Sequence, residues 1–387
     1  MNAFLAIMLE AYRELNSKKL FWITMIISAL VVLVFLAVDL GETGLTFFGW
    51  KLGFGPSALS MDEEVFFKRM FIQFGIAIWL AWIATVLALA TTAEIFPNLM
   101  GHGAIDMVLS KPIGRLQLFA MKFASGLLFT GLQVAVFCGA SFLVIGIKTG
   151  AWELGIFLAV PVMIVFFSYL FAACVLFGVL TRSTIASLLL TLLVWFAIFI
   201  GNNAETGLLS FKTIQEQRLE SIDTRIGRQA MIVAAAERRA LGQPDNEQYA
   251  ERVVQARTLA EDLEEERADA AEDLASITKW HRITFMVKTG LPKTGETIAL
   301  LERWLISAAD LQPTPEPSDE AMAAAEADGA EQPPPSMWNF ELDEEQLEAD
   351  LQTELRGRSV AWIVGTSLLF ELALLSIAAW RFHRRDF

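Results

Sequence analysis

Glu371 is the only ionisable residue inside an otherwise apolar run, Ser359–Trp380. An acid at membrane depth is costly and faces protein or a water-filled cavity. Two readings stand side by side: a polar point on a translocation path or a proton-linked group, and a protonated or hydrogen-bonded packing residue. The paired carboxylates of 261–273 lie on a long charged helix and read as a solvated face. Gly290-Leu-Pro-Lys-Thr-Gly295-Glu296-Thr297 fits a phosphate-binding loop except at the lysine position, where Glu296 would set a negative charge against phosphate. Cys138 and Cys174 lie in apolar runs and read as small packing residues. His102, His281 and His383 are too far apart in sequence for a His-rich metal site. No nucleophile elbow, zinc motif or dinucleotide loop is present. The sequence therefore predicts no catalytic residue, no metal site and no cofactor held by this chain.

The elements that carry these residues are of two kinds. The 387 residues are 55% apolar and only 19% charged, with a net charge of −14. Residues 203–358 hold 32 acids against 16 bases, while the rest of the chain is nearly neutral. This excludes one globular core, and an acidic chain is a poor partner for nucleic acid.

Six runs are long and apolar enough to cross a bilayer: Leu20–Val38, Met70–Ala93, Phe123–Ile147, Leu154–Leu180, Ser183–Gly201 and Ser359–Trp380. Pro161 predicts a kink in the fourth. The first run is too long for a signal peptide, and no cleavage site follows it. Arg13, Lys18, Lys19, Lys111, Arg115, Lys122, Arg182, Arg381, Arg384 and Arg385 would share one side, the cytoplasm by the bias of basic residues. Both termini then lie inside and 203–358 outside. The fold class is an all-α integral membrane protein of six transmembrane helices, with a large extracytoplasmic helical hairpin between helices 5 and 6.

Within 204–280, two helices are expected over 213–279, turning at Gly242-Gln-Pro-Asp-Asn246. Leu219, Ile222, Ile226, Gln229, Val233, Ala236 and Ala240 follow 3-4 spacing before the turn, and Tyr249, Val253, Ala256, Ala260, Leu263, Arg267, Ala270, Leu274 and Ile277 do so after it; they suggest a narrow, alanine-rich antiparallel coiled-coil seam, or else two solvated helices that pack elsewhere. Residues 281–307, broken at Gly290-Leu-Pro292, suggest short interfacial or re-entrant helices. Proline and acidic residues make 308–340 a disordered linker. Residues 341–387 hold a polar helix, the last span and a cytoplasmic tail.

The loop 94–122 between spans two and three is the most informative stretch. A helix should leave the membrane at Glu94 and break near Pro97. Gly101 to Ser110, including Asp106, can form a short amphipathic helix that Pro112 ends. It could dock into a groove on a soluble partner, or be an ordinary connection.

This loop resembles the cytoplasmic loop of ABC-2 type transporter permeases. Glu94, Gly101, Leu109, Ser110, Lys111, Pro112, Ile113, Arg115 and Lys122 carry the likeness. Residues 1–19 resemble the family's interfacial elbow helix through Arg13-Glu14 and Lys18-Lys19, and Leu291-Pro292-Lys-Thr-Gly295 resembles its extracytoplasmic Leu-Pro-x-x-Gly piece. The hairpin and acidic linker depart from the family's shorter insert. The resemblance implies an exporter's permease subunit in a bacterial inner membrane. A second permease copy and separate ATP-binding subunits carrying ATP-Mg would be its partners, besides lipid. Glu94, Gly101, Asp106, Leu109, Ser110, Lys111, Pro112 and Arg115 would couple to the ATPase, and Glu371 would lie on the path. Ala77, Ala81, Ala84, Ala88, Ala135 and Gly139 suit close helix contacts between or within copies. The rival reading is a membrane-anchored scaffold acting through the 213–279 hairpin on an extracytoplasmic partner. A membrane-embedded enzyme would need more polar groups within the spans than Glu371.

Overall fold

The computed structural model describes residues 19–41, 44–48, 50–51, 63–100, 114–242, 246–305, 351 and 353–384. Six of its helices are long and apolar enough to span a membrane, as the sequence predicts. The chain divides into two compact units. The first comprises Met1–Phe199, Gly290–Glu316 and Val360–Phe387; the second comprises Ile200–Thr289 and Pro317–Ser359.

The first unit is a helical bundle. Helix α1 (Lys19–Ala37) buries Phe21, Thr24, Ser28, Val32 and Phe35, a 3-4 spacing that makes one stripe. Its other face exposes Trp22, Ile26, Leu30 and Leu33, as suits a helix apolar all round and bathed by lipid. A short antiparallel ribbon follows: β1 (Val38–Gly41), β2 (Gly44–Phe47) and β3 (Trp50–Lys51), with Val38 opposite Phe47 and Phe47 opposite Trp50. The sequence reading did not anticipate it. Lys148 fastens it by donating to the Val38 carbonyl.

Span two is built from α2 (Glu63–Met70), a π-helix (Phe71–Ala84) and α3 (Thr85–Thr92). The π stretch is far longer than the usual single-turn bulge. Apart from Ala81, its buried residues Phe71, Ile72, Gly75, Ile76, Trp79, Leu80 and Ala84 recur about every four positions. That repeat is wider than the α-helical 3.6, and the wider winding keeps the stripe on one side. A turn at Ala93–Glu94 leads to α4 (Ile95–Leu99). The break thus precedes Pro97, which sits in the first turn of α4, where its missing N–H costs nothing.

Helix α5 (Arg115–Thr149) ends on Gly150, whose φ of 73° is a left-handed cap. A 3-10 turn (Leu154–Leu158) opens α6 (Ala159–Thr181). Pro161 falls in the first turn of α6, where its missing N–H is tolerated, and the helix continues to Thr181. Helix α6 is the pillar: 16 of its 23 residues are buried, so neighbours enclose it on nearly all sides. Gly126 of α5 lies so close to Phe171 of α6 that a Cβ there would sit 2.5 Å from the ring. Phe123 and Phe167 both stack on Phe171.

Helix α7 (Thr184–Gly242) runs unbroken past the predicted end of span five at Gly201. In the first unit its Trp195 stacks on Trp82, with centroids 4.9 Å apart and planes at 23°. Helix α9 (Thr294–Leu305) buries Leu300, Leu301 and Leu305, and Leu301 and Leu305 join the core of the bundle. Helix α10 (Val360–His383) packs chiefly on α6. Ala81, Ala84 and Ala88 are buried within this one chain; Ala77, Ala135 and Gly139 are half-buried.

The second unit contains the rest of α7 and α8 (Glu247–Thr289). Asp223 pairs with Arg267, Arg225 with Glu266, and Glu237 with Arg257. The separation shrinks toward 243–245, as it must for helices running in opposite directions. Ile222, Ala256, Leu263 and Ala270 are buried. Gln229, a polar interruption in the predicted seam, is buried and donates to the Ala256 carbonyl at 2.8 Å. Arg267, the other, reaches outward to Asp223 at 2.5 Å. Residues Trp280–Thr289 continue α8 rather than starting a separate helix, and the break falls at 290–293.

Candidate functional site

Three groups of residues bear on function. The first is the root of the 94–122 loop. Gly101, Asp106, Leu109, Ser110, Lys111 and Pro112 lie outside the described residues, so their expected helix goes untested. The loop's two stems are described. Glu94 is half-buried, caps α4 at its N-terminal side and accepts from Asn98 Nδ2 at 3.4 Å. Phe96 of α4 meets Phe119 of α5 at 5.0 Å, and Phe119 meets Phe382 of α10 at 5.8 Å. All three rings are buried. Arg115, at the start of α5, donates to the His383 carbonyl at 3.3 Å. The second stem is therefore clamped to the end of α10, and the first reaches it through Phe119, with α4 also packed on α6.

The second group surrounds Glu371. Its side chain is 8% exposed, and its Oε2 lies 2.6 Å from Ser168 Oγ of α6. Ser168 Oγ also lies 2.8 Å from the Val165 carbonyl. One hydroxyl proton cannot serve two acceptors, and a proton on Glu371 completes both contacts. No ion pair reaches Glu371 among the described residues. One turn up α10, Ser367 accepts from the Lys293 backbone N–H at 2.9 Å and donates to the Ile363 carbonyl. The Lys293 ammonium is fully buried; it donates to Thr366 Oγ1 at 2.6 Å and the Leu291 carbonyl at 3.2 Å, over the Trp362 ring. The Tyr169 side chain is buried, with Ser367 and Thr297 beside its hydroxyl. The Leu291–Gly295 piece thus rests on the last span through Lys293. It offers no phosphate cradle, because Lys293 is spent on α10 and on its own loop.

The third group lies in the second unit, four residues past the apolar run that ends at Gly201, and the sequence reading missed it. Glu205 is fully buried. Arg358 grips it with two nitrogens, at 2.5 and 3.3 Å. Lys288 donates at 2.5 Å, and His281 Nε2 lies 3.3 Å away. Arg358 also sits over the Phe285 ring. Burial pushes the Glu205 carboxyl up, but hydrogen bonds from Arg358 and Lys288 prevail and hold it below the usual range. A lone acid just past an apolar run was the visible signal; its partners lie 76 to 153 residues away. Among the described residues, no three His, Cys, Asp or Glu side chains gather as metal ligands.

No protein-family model matches the chain, and neither a curated protein nor a solved structure matches it.

Proposed function

We propose that the chain is the permease subunit of an ATP-driven exporter, working with a second permease copy and a separate ATP-binding subunit. The observation that carries this reading is the clamp on the 94–122 loop. Phe96, Phe119 and Phe382 join its two stems to each other and to the last span, and Arg115 ties the second stem to the His383 carbonyl. Force applied to the loop by a docked partner would reach spans two, three, four and six together, because α4 and α5 both pack on α6. The residues Ser110-Lys111-Pro112-Ile113 and Arg115 supply the likeness to permeases that engage such a partner. In this reading both termini face the cytoplasm, 203–358 stands outside as a coiled-coil hairpin with its linker, and Glu371 borders the path.

The test is purification of the tagged chain from native membranes in mild detergent, with ATP hydrolysis assayed in the eluate. A co-purifying ATPase that is lost on Lys111→Glu supports the proposal. A membrane-inserted chain that brings down no ATPase refutes it.

A further inference from the structure

The two arms of the hairpin in the second unit carry opposite charges on one of its sides. On α7, Arg225, Arg228, Ile232, Ala235 and Arg239 recur at 3-4 spacing, a stripe without an acid. On α8, Glu251, Gln255, Leu259, Asp262 and Glu266 recur in the same way, a stripe without a base. Arg225 and Glu266 meet at 3.3 Å, which sets both stripes on the same side. The pairs Asp223–Arg267 and Glu237–Arg257 lie on the other side. Beyond the 225–266 pair the two stripes are open. Ile232 is 55% exposed and Leu259 43%. Arg228, Arg239, Glu251 and Asp262 are exposed too, and make no ion pair among the described residues. The ties between the arms also fix heights: Arg228 stands near the level of Asp262, Ile232 near that of Gln255, and Arg239 near that of Glu251.

Such a face suits no partner of a single sign. An acidic peptide or an anionic bilayer would meet the arginines and be repelled by Glu251 and Asp262. A surface with the same two stripes in exchanged order matches it, and a second copy of the chain supplies one. A two-fold axis along the hairpins lays each arginine stripe on the partner's acidic stripe at the same height. Both tips then point the same way, as in two chains sharing one membrane. We propose that this face joins two copies of the chain, hairpin to hairpin, in a four-helix bundle. Arg228 meets Asp262 of the partner subunit, Ile232 packs on Gln255 and Leu259 of the partner subunit, and Arg239 meets Glu251 of the partner subunit. Exposed ion pairs are individually weak. They set the register, while the apolar centre and the confinement of both chains to one membrane hold the contact. No ATPase enters this contact, and it holds whichever function the spans serve.

Thiol cross-linking of the full chain in membranes tests it. Two differently tagged copies are co-expressed, one with Ile232→Cys and the other with Gln255→Cys, so no link can form within one chain. Cys138 and Cys174 are buried and add little background. The expected product carries both tags and forms several-fold faster than with Val254→Cys in place of Gln255→Cys, because one residue turns the side chain about 100° off the face. Arg228→Glu with Arg239→Glu in both copies should reduce the link several-fold. Pairing that variant with a copy carrying Glu251→Lys and Asp262→Lys should restore it, which also shows that both variants fold. No link with the native charges, an equal link at Val254→Cys, or a link indifferent to the reversals overturns the proposal. So does a loss that the complementary copy fails to restore.

Discussion

Glu205 shows what a single side chain can hold together. Its carboxylate is the common partner of Lys288, Arg358 and His281, and Lys288 is itself 3% exposed. Removing the acid leaves buried cations without their counter-charge, which costs about 3–5 kcal/mol. Glu205→Ala should therefore lower the melting temperature of the purified full chain, read by loss of helical signal; an unchanged melt would contradict the cluster's role. Glu153 sits in a milder setting. Lys68 lies 3.0 Å from its carboxylate, and the Gly155 N–H donates to it at 3.2 Å. The hydrogen bond from Lys68 holds its carboxyl below the usual range, against partial burial. A lowered native value means stability that is complete above the unfolded glutamate value of about 4.3 and lost as pH falls through the native one. Melting temperature followed downward from about pH 5 should fall less steeply in Glu153→Gln than in the wild-type chain. Parallel curves would remove Glu153 from the acid response.

Among the elements, the contact of α5 with α6 is the least forgiving. A side chain at Gly126 meets Phe171, and Phe171 is fully buried and stacked on Phe123 and Phe167. Gly126→Val should cost about 1–3 kcal/mol by overpacking, measured as thermal unfolding in detergent; a neutral substitution would mean the two helices part more easily than their packing implies. The apolar runs were legible because a span needs about 20 apolar residues in a row, and no soluble element imitates that. The turn near Gly242 was legible from spacing, whereas the contact of Gln229 with Ala256 was not, because the two stripes carry no register between them. The π winding was not, since its four-residue repeat is a small departure from 3.6 and shows only once the packed face is known. The β ribbon escaped notice because strands of four residues or fewer carry no readable alternation. The Glu205 cluster escaped because long-range partners leave no local pattern.

At the scale of the whole molecule, the proposed topology has a direct check. Cys138 and Cys174 are buried, so the background of an impermeant thiol reagent should be low. Leu241, 83% exposed at the end of α7, should be labelled on intact cells as Leu241→Cys. Arg384→Cys, also at an exposed position, should react only after the membrane is permeabilised. The reverse pattern would invert the orientation and move the acidic segment inside. The indole stack of Trp82 on Trp195 adds a different kind of consequence. Two identical chromophores 4.9 Å apart with planes at 23° share their ultraviolet excitation rather than absorbing independently. Their coupled transitions give circular dichroism a paired positive and negative band that either tryptophan alone cannot produce. The contact between the second and fifth spans thus carries its own optical signature, readable in the native chain without any attached label.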